Sequence, residues 1–199
     1  MHLTLPGWTE SAPDQNSRTW RDSDGDLLGL DVFARIDYPF GSDEIAQRRW
    51  CRELAQSRGA GLIEMQEIAS GVGGSARFIY KRMQVGTTGY AYTGMFITGA
   101  EPEFFVWTIV AGERGTSGLR EAIVTGSLMQ SGKLTPQDYE RCWAQDPYEP
   151  DYQGVDRIVL RFMSDDETYD QQFPWHPLSK VRHVLAVLPS AVQFESRSP

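Results

Sequence analysis

Cysteine is nearly missing from the chain: Cys51 and Cys142 are the two in 199 residues, far apart in sequence and each in a helical-looking segment. That excludes a disulfide framework and predicts two buried thiols. Histidine is as scarce, with His2, His176 and His183, so the usual structural zinc patterns are absent and no metal or cofactor is expected. Lysine occurs only as Lys81, Lys133 and Lys180, against sixteen arginines. There is no basic cluster, and the net charge of −8 with a pI near 4.9 argues against nucleic acid or an anionic membrane as partner. No apolar run approaches the roughly 20 residues that span a bilayer. The amino terminus, MHLTLPGWTE, lacks a basic start followed by an apolar segment, so the expected location is the cytoplasm.

What is present suits a folded domain: 40% hydrophobic residues, 12% of all residues aromatic. Phe104 to Ala111, FFVWTIVA, is apolar on both of its alternating faces. A strand half exposed to water would alternate apolar with polar, so this one is predicted to lie inside a sheet and to be covered on both sides. The link Gly99-Ala100-Glu101-Pro102 joins it to the run Tyr90 to Thr98 as an antiparallel hairpin.

Upstream, Arg18–Arg21 and Leu27–Phe33 flank the turn Asp22-Ser23-Asp24-Gly25-Asp26, another hairpin. A calcium loop would put glycine sixth and glutamate twelfth, whereas here glycine is fourth and Phe33 is twelfth. Ser42 is the expected cap of a helix from Asp43 to Arg58, burying Ile45, Ala46, Trp50 and Leu54. Leu62–Ile68 and Ala76–Met83 follow, joined by a glycine-rich turn at Gly71–Gly74 that lacks the Gly-Lys-Ser/Thr ending of a phosphate loop. Thr116 or Ser117 should cap a helix to Ser131 whose apolar face, Leu119, Ala122, Ile123 and Leu128, would lie on the sheet.

This order predicts an α+β fold, an antiparallel sheet flanked by helices with a mainly helical C-terminal extension. It resembles the Mog1/PsbP-like family in its broad bacterial sense. Carrying the resemblance are Leu5-Pro6-Gly7-Trp8, the hairpin with Trp20, the helix after Ser42, Gly73-Gly74-Ser75-Ala76-Arg77-Phe78-Ile79-Tyr80, and the strand 104–111 with its helix, about residues 3–131. The resemblance implies an α/β sandwich used as a binding or accessory module, in some members for a small GTPase and in others for a photosynthetic complex. Neither partner maps onto a contact motif here.

Residues 1–132 are therefore read as the sandwich and 133–199 as an extension folded back on it. Thr135 caps a helix opened by Pro136, from which Tyr139, Cys142 and Trp143 turn inward. In Val155–Met163, Ile158, Val159, Leu160 and Phe162 would serve either a strand or a short helix, the helix being favoured; Ser164 is read as the cap of an exposed acidic turn, and Leu178, Val181, Leu185 and Leu188 as the buried stripe of a last helix ended by Pro189.

Two groups could carry function. Asp165, Asp166, Glu167, Tyr169, Asp170 and His176 fall within a dozen residues, and such carboxylates near a histidine could hold a metal or supply an acid and a base. Trp143, Tyr148, Tyr152, Tyr169 and Trp175 with Arg157 and Arg161 could form a recognition surface, since aromatics and arginine carry interface energy, or could staple the tail to the sandwich. No nucleophile elbow is present. The favoured expectation is a non-enzymatic binding or accessory module with a protein partner or self-association. The alternatives are a small hydrolase or metal-dependent enzyme using the acid and histidine cluster, and a structural part of a homo-oligomer.

Overall fold

A computed structural model describes residues 2–3, 5–11, 17–68, 74–100 and 102–193. Seven strands form one antiparallel sheet: β2 (Trp8–Glu10), β3 (Ser17–Asp22), β4 (Leu27–Phe33), β8 (Glu103–Gly112), β7 (Tyr90–Ala100), β6 (Gly74–Met83) and β5 (Gly61–Ile68), in that spatial order. The aromatic strand β8 is fourth of the seven, as its two apolar faces require. Its hairpin with β7 is tighter than the sequence suggests, because Ala100 already pairs with Glu103. The turn at 71–73 lies outside the described residues. At the chain ends, β1 (His2–Leu3) pairs with β11 (Val192–Gln193), so the backbone at His2 is tied down instead of frayed.

The alternation along β7 and β8 sends side chains to two cores. On one face Tyr92, Phe96, Trp107 and Ile109 meet Trp20, Leu28 and Leu30; Trp20 stacks on Trp107 with centroids 5.6 Å apart. On the other, Met95, Ile97 and Val106 join Phe78, Tyr80, Leu62 and Cys51. Helix α1 (Glu44–Ser57) covers the second face. Its cap is Asp43, whose carboxylate accepts from the N–H of Ala46, while Ser42 donates to Pro39. The buried side is Gln47, Cys51 and Ala55, and Ile45 is exposed. The stripe is rotated from the expected one because Gln47, buried, finds Tyr38 and the Ser42 carbonyl as partners.

The first face is covered by the last helix, α4 (Pro177–Ala191), and not by α2 (Leu119–Gln130). Leu178, Val181, Val184, Leu185 and Leu188 of α4 are all buried over β7 and β8. Gly94 of β7 permits this approach, since a Cβ there would stand 2.6 Å from Val181 and 2.8 Å from Leu185. The helix continues past Pro189 to Ala191, because so near the end the proline removes little of the hydrogen-bond ladder.

Helix α2 instead packs on the turn at 163–165. It buries Arg120 and Val124 and leaves Leu119 and Ile123 exposed, reversing the expected face. Its N-cap is Gly118 with φ +73°, without a side-chain cap; Ser117 pairs with the Thr88 hydroxyl at 2.9 Å. Beyond it, α3 (Pro136–Cys142) starts as expected, with Thr135 accepting from the N–H of Asp138. Trp143 is buried, while Tyr139 is partly exposed. Val155–Met163 is not a helix. A single 3-10 turn, Arg157–Val159, is followed by β10 (Arg161–Phe162), which pairs with β9 (Ala144–Gln145). Val159, Leu160 and Phe162 are buried and Ile158 is exposed, and it is the pairing of Arg161 with Gln145 and of Phe162 with Ala144 that holds the segment extended.

Candidate functional site

At the end of the sheet near α2, charged groups have been drawn inside. Lys81 shares a face of β6 with Ile79 and has no exposed side-chain surface. Its ammonium donates to Asp165 Oδ2 at 2.6 Å and sits 3.1 Å from the Phe162 ring centroid. Asp165, also fully buried, accepts from the Phe162 N–H at 2.8 Å and closes the 3-10 turn Met163–Asp165. The acidic turn is thus not the exposed helix start that its sequence suggests. Burial pushes the Lys81 ammonium below the ordinary lysine range, against the pull of Asp165.

Arg120 anchors the same turns. Its guanidinium donates to the carbonyls of Ser164 (2.7 Å) and Asp166 (2.9 Å), to Asp170 (3.0 Å) and to Ser179 (2.9 Å). Arg182 of α4 bridges Glu64, Asp170 and the Asp165 carbonyl. Five donors in a fixed fork suit an arginine to this work of binding several acceptors at once.

Beside this network lie Glu113, Glu121 and His176, offering one ligand atom each within 4.8 Å of the others. Glu113 follows β8 and accepts from the N–H of Tyr90 (2.8 Å) and of Gly118 (3.0 Å). The left-handed backbone at Gly118 aims that second donor. Burial would raise the Glu113 carboxyl, but His176 and these two N–H groups together hold it below the ordinary glutamate value. Glu121 on α2 is the opposite case: burial raises its carboxyl, and among the described residues no other residue hydrogen-bonds to either oxygen. His176 caps α4, its Nδ1 accepting from the Leu178 N–H at 3.3 Å and its Nε2 lying 3.6 Å from Glu113. With one nitrogen on the helix end and the other facing a carboxylate, the ring is not a free general base.

Glu113 and His176 also line a cleft of about 570 Å³ with Arg114, Leu119, Phe173 and Trp175. Trp175, between Pro174 and His176, is 90% exposed. At its rim the turn between β3 and β4 closes around Lys180, whose ammonium is 2.6, 2.6 and 2.7 Å from carboxylates of Asp22, Asp24 and Asp26. The acidic loop that invited a calcium reading therefore holds the chain's own cation. Burial alone would lower the lysine, but these three carboxylates raise it above its ordinary value; Asp22 is held below the ordinary 3.8 against its own burial, chiefly by Lys180. A carboxyl with a depressed folded value stabilises above its unfolded value and loses that contribution as pH falls. Lys180→Met is therefore expected to lower the melting temperature at pH 7. The gap to the unmodified chain should narrow as pH drops below about 3.8, which thermal scans from pH 3 to pH 7 would measure.

The sequence candidates are thus dispersed. Asp165 pairs with Lys81, Asp166 with Arg161, and Asp170 with Arg120 and Arg182. The donors that converge with His176 are Glu113 and Glu121. Among the recognition candidates, Trp143 stacks between Tyr139 and Phe162. The Tyr148 hydroxyl accepts from the Met65 N–H and donates to the Met65 carbonyl, on the edge strand β5. Tyr152 lies under Arg52 and bonds Gln56, Arg157 reaches the Ala144 carbonyl, and Tyr169 packs against the cluster that includes Trp143 and Phe162. Trp175 differs from these in its exposure. The Cys51 thiol is buried and pushed up to about 12, far from a reactive thiolate.

No family model matches the chain, and no curated protein matches it. Twelve chains of solved structures do. One, a protein of Bacteroides thetaiotaomicron VPI-5482, is 18% identical with a TM-score of 0.32, the match covering 55% of this chain and 37% of that one. So loose a likeness carries no argument about fold or function. Among the described residues no helix is long and apolar enough to cross a membrane.

Proposed function

We propose that the chain is a non-enzymatic binding or accessory module of a bacterial cytoplasm, and that it engages a protein partner at the cleft beside Trp175. The observation that carries this reading is the exposure of Trp175, 90% of a large ring standing at a cleft of about 570 Å³ with Leu119 and Phe173. Tryptophan is the residue type most enriched among those that dominate binding energy, and leaving one in water has no packing rationale. The acidic groups once suspected of catalysis are committed to internal pairs, which favours binding over chemistry. The Mog1/PsbP-like family is proposed as the wider setting, on the strength of the antiparallel sheet with a helix on each face.

A second reading, self-association, draws on Leu119 and Ile123, exposed one turn apart on α2. Light scattering separates the two, since a monomer has 22.5 kDa. For the first, Trp175→Ala is expected to leave the melting temperature unchanged. It should weaken partner capture by roughly 30-fold in Kd, the equivalent of about 2 kcal/mol at a dominant contact. Equal recovery of the same partner by both chains in quantitative pull-downs, or no reproducible partner for either, would sink the proposal.

A further inference from the structure

We infer that Glu113, Glu121 and His176 form a binding site for a divalent transition-metal cation of the zinc or manganese class. The inference does not rest on the partner reading, although Glu113 and His176 also line the cleft beside Trp175. Glu113 Oε1 and His176 Nε2 are 3.6 Å apart, close to the ~3.4 Å that separates two donors about 2.1 Å from a tetrahedral ion. The third donor needs only a small side-chain adjustment, since all three lie within 4.8 Å.

Two separate observations call for a cation at this point. Both oxygens of Glu121 are shielded from solvent and, among the described residues, no other residue hydrogen-bonds to them. The His176 side chain is 9% exposed, and its Nε2, 3.6 Å from Glu113, is beyond hydrogen-bond distance of every acceptor among the described residues. A buried carboxylate without partners is costly, and proteins keep such groups where something compensates them. Glu113 is already oriented by the N–H groups of Tyr90 and Gly118, the kind of outer support that fixes a ligand carboxylate.

Charge balance agrees. Lys81 offsets Asp165, and Arg120 and Arg182 offset Asp170 and Glu64. That leaves two carboxylates, Glu113 and Glu121, beside the His176 imidazole. The other acidic triad, Asp22, Asp24 and Asp26, supplies a comparison within the same molecule. There the fold brings Lys180 to the centre; here, among the described residues, no ammonium or guanidinium pairs with either glutamate. One imidazole nitrogen with two carboxylates is a mixed donor set suited to zinc or manganese more than to calcium or magnesium, which take oxygen ligands.

One contact must change. Nδ1 accepts from the Leu178 N–H at 3.3 Å, which places the ring proton on Nε2. With the cation on Nε2 the proton sits on Nδ1, so the ring turns off that N–H and the first turn of α4 registers the event.

The test uses the full chain, stripped with a chelator and titrated with Zn²⁺ by calorimetry and with Co²⁺ by visible absorption. The expected result is one equivalent bound, cobalt bands of nitrogen and oxygen ligation, and a shift of the Leu178 amide resonance. Glu121→Gln and His176→Gln should each weaken uptake at least tenfold, and Asp24→Asn should leave it unchanged. Glu121→Gln keeps the shape and removes a buried charge, so its melting curve guards against a folding artefact. Absence of saturable uptake, or uptake indifferent to both substitutions, would overturn the inference; so would equal loss in Asp24→Asn.

Discussion

A chain ending at residue 176 is expected not to fold. The deletion removes α4, whose Leu178, Val181, Val184, Leu185 and Leu188 are between 0 and 3% exposed over β7 and β8. Full burial of a valine or leucine contributes about 1.5–3 kcal/mol, so five of them amount to roughly 10 kcal/mol. A domain of this size has only about 5–15 kcal/mol in total. The deletion also exposes Tyr92, Phe96, Trp107 and Ile109 along the middle of the sheet, a patch that favours aggregation. Near-ultraviolet circular dichroism and a thermal scan should show no native signal and no cooperative transition. Gly94→Val tests the same interface without removing anything, since its Cβ would meet Val181 and Leu185. Overpacking of this kind costs roughly 1–3 kcal/mol. A 1–176 chain that melted cooperatively near the full-length temperature would show that α4 is an accessory to a core complete without it.

That outcome turns on what the sequence could and could not reveal. Strand β8 was legible because each of its faces is apolar in a run too short for a helix, and α4 because 178, 181, 185 and 188 repeat at helical spacing. Both signals are local. Which helix covers the sheet is not local, and the moderate stripe on α2 gave the wrong candidate: its buried residues are Val124 and Arg120, the latter bound by four acceptors that come from 164 to 179. A guanidinium satisfied by distant carbonyls reads as surface in any window of sequence. Glu113 and Glu121 were invisible for the same reason, more than fifty residues from His176. One signal was available and missed. Lys81 falls in phase with Ile79 on a strand whose other face holds Phe78 and Tyr80, so its charge had to be either at an open surface or inside with a partner.

Its partner makes the last prediction. Lys81→Met is expected to destabilise the chain by about 3–5 kcal/mol, because it removes the cation from Asp165, leaving it the Phe162 N–H and the Tyr92 hydroxyl as partners where neither side chain of the pair reaches solvent. Asp165→Leu should cost a similar amount, adding the loss of the acceptor for the Phe162 N–H to the stranding of the lysine. In Lys81→Met/Asp165→Leu both buried charges are gone and an apolar pair stands beside Phe162 and Tyr90, so the double variant should be markedly more stable than the sum of the singles implies. A coupling energy above about 2 kcal/mol is expected from urea denaturation of the four proteins. Coupling near zero would mean that water already reaches the pair and that the site is not the dry centre described. A buried pair of this kind is weak as a source of stability, because desolvation offsets most of its attraction. Its effect is instead positional: Asp165 ties the tail to β6 at one register, and Arg120 and Arg182 then find the carbonyls of the same turn. If the double variant is stable yet broadens the resonances of residues 163–176, specificity of docking is what the two charges supply.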